Sequence, residues 1–211
     1  KFDIKEEKIK ILIPFFTSKQ KEKNIDTSEL KIDIKTKYGL KNDFFIYHWG
    51  NGIEKNLEKL VYVFEKIKDH KKKIELVLMW DKVSKNIALR NLVIKYSMQE
   101  RIKFLWPIKE TEKELIYKQS MWILFPSLYE PFPFHMWEAI HFNIPILASN
   151  IQSISNIFRN KILYFSPISR SSMLETIKNF VEHKKRKFDY TEIRENYAPE
   201  NTVESLLEII K

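Results

Sequence analysis

Residues 44–67 read FFIYHWGNGIEKNLEKLVYVFEKI, and this stretch decides the fold. Phe44-Phe45-Ile46-Tyr47-His48-Trp49 is a short, continuous apolar run of the kind found in a strand buried on both faces. Leu57, Leu60, Val61, Phe64 and Ile67 then recur at three- and four-residue spacing, which puts them on one face of a helix. The same unit repeats down the chain. Ile74 to Trp80 predicts a second strand and the stretch from about Ser84 to Ser97 a second helix. Arg101 to Leu105 predicts a third strand, followed by a helix that opens near Thr111 with acidic residues in its first turn. Met121–Phe125, Ile144–Ala148 and Ile162–Phe165 supply three more strands, with helices expected near 135–142, 152–158, 170–184 and 192–210.

Repeated strand–helix units of this length close only as right-handed crossovers onto a parallel sheet. Strands that are apolar on both faces suit a sheet covered by helices on each side. The expected fold is α/β, a doubly wound Rossmann-like parallel sheet of about six strands, occupying residues 41–211. Residues 1–40 are charged, with one apolar run, Ile11-Leu12-Ile13-Pro14-Phe15-Phe16. They are expected to form a linker or hinge segment, with that run as a candidate edge strand.

Composition narrows the function. Of 211 residues, 44% are hydrophobic and 14% aromatic, enough for a packed core, and the 31% that are charged are spread along the chain. There is no cysteine, so disulfides and thiolate metal sites are excluded, and a reducing compartment fits. No run approaches the roughly 18 apolar residues that span a bilayer. The chain opens at Lys1 without a signal-like leader, which reads as a fragment of a longer protein. A net charge of +9, with clusters at Lys71-Lys72-Lys73 and Lys184-Lys185-Arg186-Lys187, suits anionic partners such as nucleotide diphosphates or an acidic membrane surface. The same clusters are equally the solvated loops of a lysine-rich protein. No recognition helix or aromatic-plus-glycine RNA motif occurs, so nucleic acid is not expected as a partner.

In a sheet of this type ligands bind beyond the carboxyl ends of the strands. After the fourth strand comes Phe125-Pro126-Ser127-Leu128-Tyr129-Glu130-Pro131-Phe132-Pro133-Phe134-His135-Met136-Trp137-Glu138-Ala139-Ile140. A strand ends, a proline-punctuated loop follows, and a helix begins near His135. Unpaired N–H groups at that helix start suit a phosphate. The carboxylates of Glu130 and Glu138 suit hydroxyls, since each oxygen accepts hydrogen bonds. A sugar diphosphate meets both demands.

This segment resembles the retaining GT-B glycosyltransferases of family 4, also called glycosyltransferase group 1. Ser127-Leu128-Tyr129-Glu130 and Glu138-Ala139 match the family's two glutamates in identity and spacing. Asn143-Ile144-Pro145-Ile146-Leu147-Ala148-Ser149-Asn150 is similar to its G-x-P-V-V-A-S, with Asn143 in place of glycine, and Leu163-Tyr164-Phe165-Ser166-Pro167 to its L-x-F-x-P. Lys55-Asn56 falls where the family has a lysine opening the first helix. The resemblance spans roughly residues 38 to 184 and implies the C-terminal, donor-binding half of a GT-B fold. It implies that Glu130 acts at the reaction centre on donor-sugar hydroxyls, Glu138 on the nucleotide's ribose and Lys55 on the diphosphate. It further implies that the N–H groups of Phe132, Phe134 and His135 hold the distal phosphate and that the backbone near Ile108 meets the base. No cofactor or obligatory metal is implied. The implied partners are a nucleotide sugar, a glycan, lipid or protein acceptor, and an N-terminal acceptor domain that this chain lacks. A role in polysaccharide biosynthesis, in the cytoplasm and peripheral to an anionic inner membrane face, goes with these.

The chain departs from the family in three respects. Gly50 stands where the family has an arginine on the diphosphate, and Lys82 is the candidate substitute. Trp49, Trp80 and Trp106 stand at strand ends where the family has glycines, so indoles occupy room otherwise left to a ligand. Pro133 removes one N–H from the phosphate cradle. The missing arginine and the tryptophans motivate one alternative, a non-catalytic, glycosyltransferase-like domain that binds a partner subunit or glycan; a further alternative is a nucleotide-sugar epimerase, which shares the architecture. His48 and His70 carry no separate signal, and His135 reads as a helix-start residue.

Overall fold

The computed structural model describes residues 33–70, 73–182 and 188–210. Ile11–Phe16 and most of the two basic clusters, residues 71–72 and 184–187, lie outside the described residues. Six strands, β1 (Asp43–His48), β2 (Ile74–Met79), β3 (Ile102–Leu105), β4 (Trp122–Phe125), β5 (Ile146–Ser149) and β6 (Leu163–Phe165), form one sheet in the order β3-β2-β1-β4-β5-β6. Every neighbouring pair is parallel. This is the doubly wound order, in which the winding reverses between β1 and β4 and opens a crevice at their carboxyl ends. The expected α/β fold is observed.

The helices are α1 (Ile34–Tyr38), α2 (Leu57–Lys66), α3 (Ile87–Lys95), α4 (Glu110–Gln119), α5 (Met136–His141), α6 (Gln152–Phe158), α7 (Arg170–Glu182), α8 (Thr191–Asn196) and α9 (Pro199–Ile210). Period-two alternation along the strands sorts their side chains into two buried layers. Phe45, Tyr47, Leu76, Leu78, Trp122 and Leu124 pack in one cluster with the apolar faces of α2, α3 and α7. Phe44, Ile46, Val77, Ile123 and Ile146 are equally buried, and buried residues of α4, α5 and α6, among them Ile116, Trp137, Ile154 and Phe158, supply the second layer. Residues 190–210, holding α8 and α9, belong to a second compact unit.

Within the segment expected as a linker, α1 is capped by Asp33, whose carboxylate accepts from the Lys35 N–H at 3.0 Å, and Ile34 is fully buried. Lys37 and the Tyr38 hydroxyl donate to the buried Glu112 at 2.5 and 2.6 Å, tying α1 to α4. Under the amino ends of the strands, Glu75 Oε1 accepts from the N–H groups of Lys41 and Asn42 and from the Asn42 side chain, at 2.8–2.9 Å.

With three glycines in 211 residues, several left-handed backbone positions fall to other residues: Trp49, Asn56, Lys82, Ser97, Asn143 and Arg159 all have positive φ. Asn143 (φ 56°) sits where the resemblance expects glycine. Its N–H reaches the Ile140 carbonyl at 3.1 Å and that of Ile144 the Ala139 carbonyl at 2.8 Å, closing α5 at its C-terminus. Asparagine tolerates this conformation better than most residues, so the motif survives the substitution. Among the described residues no helix is long and apolar enough to cross a membrane.

Candidate functional site

Three loops at the carboxyl edge of the sheet are bound to one another by short polar contacts. The Leu128 N–H, beyond β4, donates to the Glu54 carbonyl beyond β1 at 2.7 Å. Asn56, left-handed between the turn Ile53–Lys55 and α2, donates through Nδ2 to the carbonyls of Pro126 and Pro167, each at 3.0 Å. Lys59 donates to the same Pro167 carbonyl. The segments after β1, β4 and β6 are thereby held in register, and this brings Lys55 to Glu130: Nζ lies 2.8 Å from Oε2, with the two side chains 18% and 15% exposed.

Glu138, in the first turn of α5, is held from three directions. Oε1 accepts from Lys113 Nζ at 2.8 Å, Oε2 accepts from the Tyr117 hydroxyl at 2.7 Å, and His48 Nδ1 lies 3.5 Å from Oε2. Burial alone would raise the pKa of this carboxyl; His48, Lys113 and Tyr117 together outweigh it and hold the group down to about 2. Glu138 is therefore ionised at neutral pH. Burial, and then the Glu138 charge, push the Tyr117 phenol well above its usual range, so it stays protonated.

Trp49 fills the space where β1, β4 and the start of α5 meet. Its indole stacks on Phe125 at 4.6 Å and on His135 at 4.3 Å, with the His48 ring 4.9 Å away on the same indole, and is 8% exposed. Its Nε1 is buried without a hydrogen-bond partner among the described residues. Its φ of 143° is a value that favours glycine, the residue the resemblance expects here. Desolvation in this stack lowers the pKa of His135, although that residue keeps a solvent-exposed edge. The other two indoles differ. Trp80 is buried and meets Tyr47 edge-on at 5.8 Å, as core, whereas Trp106 is 40% exposed past β3.

Of the residues expected at the site, Glu130 and Lys55 are in direct contact, and Glu138 and His135 share the Trp49 rim. Gly50 (φ 56°) forms the turn past β1, where its carbonyl accepts from Tyr47 OH at 3.1 Å. Ile108 is half-buried in the β3–α4 loop, away from these contacts. The Phe134 N–H donates to the Phe132 carbonyl at 2.9 Å, whereas among the described residues the N–H groups of Phe132 and His135 have no backbone partner. The helix behind them has only six residues, so its dipole is small. Lys82 is exposed in a left-handed turn, 3.9 Å from Asp81, with no hydrogen bond or ion pair to Lys55, Glu130 or Glu138 among the described residues.

His48, Lys113 and Tyr117 were not foreseen. Lys113 and Tyr117 stand four apart on α4 and so share one helix face, a signal that becomes informative only once Glu138 is known to lie opposite. His48 was hidden inside an apolar strand.

This sheet and rim define a Rossmann-like α/β domain of the kind found in GT-B glycosyltransferases. Residues 31–198 match the family described as Glycosyl transferases group 1, and the chain belongs to that family. It is 24% identical over 104 residues to the O-antigen chain mannosyltransferase RfbU of Salmonella typhimurium, a match covering 49% of this chain and 30% of that protein. Among solved structures, a glycosyltransferase from Rickettsia africae ESF-5 superposes with a TM-score of 0.67 at 17% identity, covering 84% of this chain and 51% of that one. Sucrose-phosphate synthase from Thermosynechococcus elongatus gives 0.60 at 18%, covering 85% and 49%. The C-terminal domain of a glycosyl transferase group 1 family protein (LpcC) from Francisella tularensis gives 0.59 at 13%, covering 84% and 91%. The chain thus spans 30% of the curated relative, 49% and 51% of two of these solved chains, and nearly all of the isolated C-terminal domain.

Proposed function

We propose that this chain is the donor-binding half of a retaining family 4 glycosyltransferase, taking a sugar from a nucleotide diphosphate to a glycan, lipid or protein acceptor. The observation that carries this reading is the Lys55–Glu130 pair on the same rim as the ionised Glu138. In this reading Glu138 accepts the ribose hydroxyls and the Lys55 ammonium moves from Glu130 to the diphosphate. Glu130, released from Lys55, takes the donor-sugar hydroxyls beside the reacting carbon. The N–H groups of Phe132 and His135 complete the phosphate contacts, and the leaving charge is met by Lys55 without a metal. The acceptor site belongs to a separate N-terminal domain, so the isolated chain binds donor without transferring sugar. A hexosyl donor, a cytoplasmic location and a peripheral place at an anionic membrane face accompany the reading. The curated relative is named as a mannosyltransferase, so mannose conjugates lead the ligand panel.

Calorimetric titration of the chain with UDP, GDP and their sugar conjugates tests this. Saturable binding that weakens at least tenfold in Glu138→Ala supports it; silence towards every nucleotide, with the chain folded, refutes it. A second reading, a non-catalytic domain that binds a partner, is favoured by one specific observation: the Trp49 indole occupies room that a glycine would leave to a ligand. That same silence is the result it predicts.

A further inference from the structure

We infer that His48 is a ligand-contacting acceptor: it is held in its Nδ1–H tautomer by Tyr117 and Glu138, and its Nε2 takes a hydroxyl or amide hydrogen from the nucleotide. The inference rests on the reading of Glu138 as the nucleotide-facing carboxylate and names the next residue of that subsite.

Counting protons fixes the tautomer. Glu138 is ionised and accepts only. The Tyr117 hydroxyl, 2.7 Å from Oε2, has one hydrogen, and it must lie between these two oxygens, because without it their lone pairs would face each other. His48 Nδ1 lies 2.8 Å from the same phenol oxygen and therefore meets a lone pair, so Nδ1 carries the hydrogen. Lys113 on Oε1 anchors the far end of this series. A neutral imidazole has one N–H, which leaves Nε2 bare as an acceptor. No described residue gives Nε2 a partner.

The position of the ring supplies the rest. His48 ends β1 at the point where the sheet reverses its winding. Its ring lies against Trp49 at 4.9 Å, edge-on to Tyr117 at 6.0 Å and 6.3 Å from His135, with the side chain 15% exposed. An unprotonated nitrogen beside a carboxylate makes an acceptor-rich end that favours a ribose diol or the amide edge of a base. Each glutamate carries one lysine, Lys55 on Glu130 and Lys113 on Glu138, so the bare ring nitrogen is what sets the Glu138 end apart.

The test uses the full chain. Asparagine at this position puts an amide N–H where Nδ1–H stands, keeping the bond to Tyr117 while removing the acceptor at Nε2. GDP and UDP are titrated calorimetrically into wild type and His48→Asn, with urea midpoints verifying that both are folded. In parallel, ¹⁵N spectra of wild type report which ring nitrogen is protonated, with and without nucleotide. A roughly tenfold loss of affinity in His48→Asn, the size of one net hydrogen bond, with Nδ1 protonated and the Nε2 signal moving on ligand addition, supports the assignment. Affinity within twofold of wild type, or a free protein protonated at Nε2, overturns it and leaves the nucleotide reading standing. A folded wild type that binds neither nucleotide overturns both.

Discussion

Replacing Trp49 by alanine and by glycine separates two opposing contributions of this residue. The indole is 8% exposed and stacked on two rings, so truncating it to a methyl group is expected to cost about 3–5 kcal/mol. The backbone works the other way. A non-glycine residue at φ 143° stores about 1–3 kcal/mol of strain, which alanine retains and glycine releases. In ordinary structure glycine is the worse choice by about 0.5–1 kcal/mol. Here the order should invert, with Trp49→Gly more stable than Trp49→Ala by about 1 kcal/mol and both less stable than wild type. Urea denaturation, read by near-UV circular dichroism, gives the three free energies. The glycine variant also vacates room beside His48 and His135, so nucleotide affinity should rise as stability falls. Alanine equal to or better than glycine refutes the strain argument; either variant matching wild type refutes the packing one.

Three further outcomes are expected. The Glu138 carboxyl falls from 4.5 to about 2 on folding, so its contribution of about 3 kcal/mol is fully present above 4.5 and is lost as pH drops from there towards 2; the difference in unfolding free energy between wild type and Glu138→Gln should shrink across that window and be flat above it. Lys55 and Glu130, paired at 2.8 Å, should show a coupling energy of about 1–2 kcal/mol in a double-mutant cycle of Lys55→Met and Glu130→Gln, and additivity would mean that the pair contributes nothing in solution. Glu75→Ala leaves three donors, from Lys41 and Asn42, without their acceptor and should destabilise the chain by about 2–4 kcal/mol while leaving nucleotide affinity unchanged; a urea midpoint equal to that of wild type would count against this.

The sheet was legible because its information is local. Each strand is an apolar run and each covering helix shows a three- and four-residue period, so both their existence and the sense of the crossovers follow from short-range pattern and handedness. Boundaries slipped by up to three residues: β1 ends at His48 rather than Trp49, and α3 opens at Ile87 behind a separate turn, because Trp49 and Lys82 adopt left-handed geometry that apolar pattern does not report. Glu130, Glu138 and Lys55 stand out in the sequence through the family resemblance, and the structure brings Lys55 and Glu130 into contact. What surrounds them was not legible. That Lys113 and Tyr117 clasp Glu138 depends on α4 lying across from α5, and that Trp49 stacks on His135 depends on the β1–β4 adjacency; both are tertiary facts. The resemblance points the Phe134 N–H at a phosphate; that it bonds the Phe132 carbonyl in a local turn is visible only in the structure.

A crystal structure of the chain soaked with a nucleotide diphosphate sugar decides most directly whether this rim is the donor site. The account predicts the diphosphate against Lys55, with the Lys55–Glu130 contact broken, and the ribose on Glu138. A nucleotide bound elsewhere, or bound while Lys55 remains on Glu130, contradicts it.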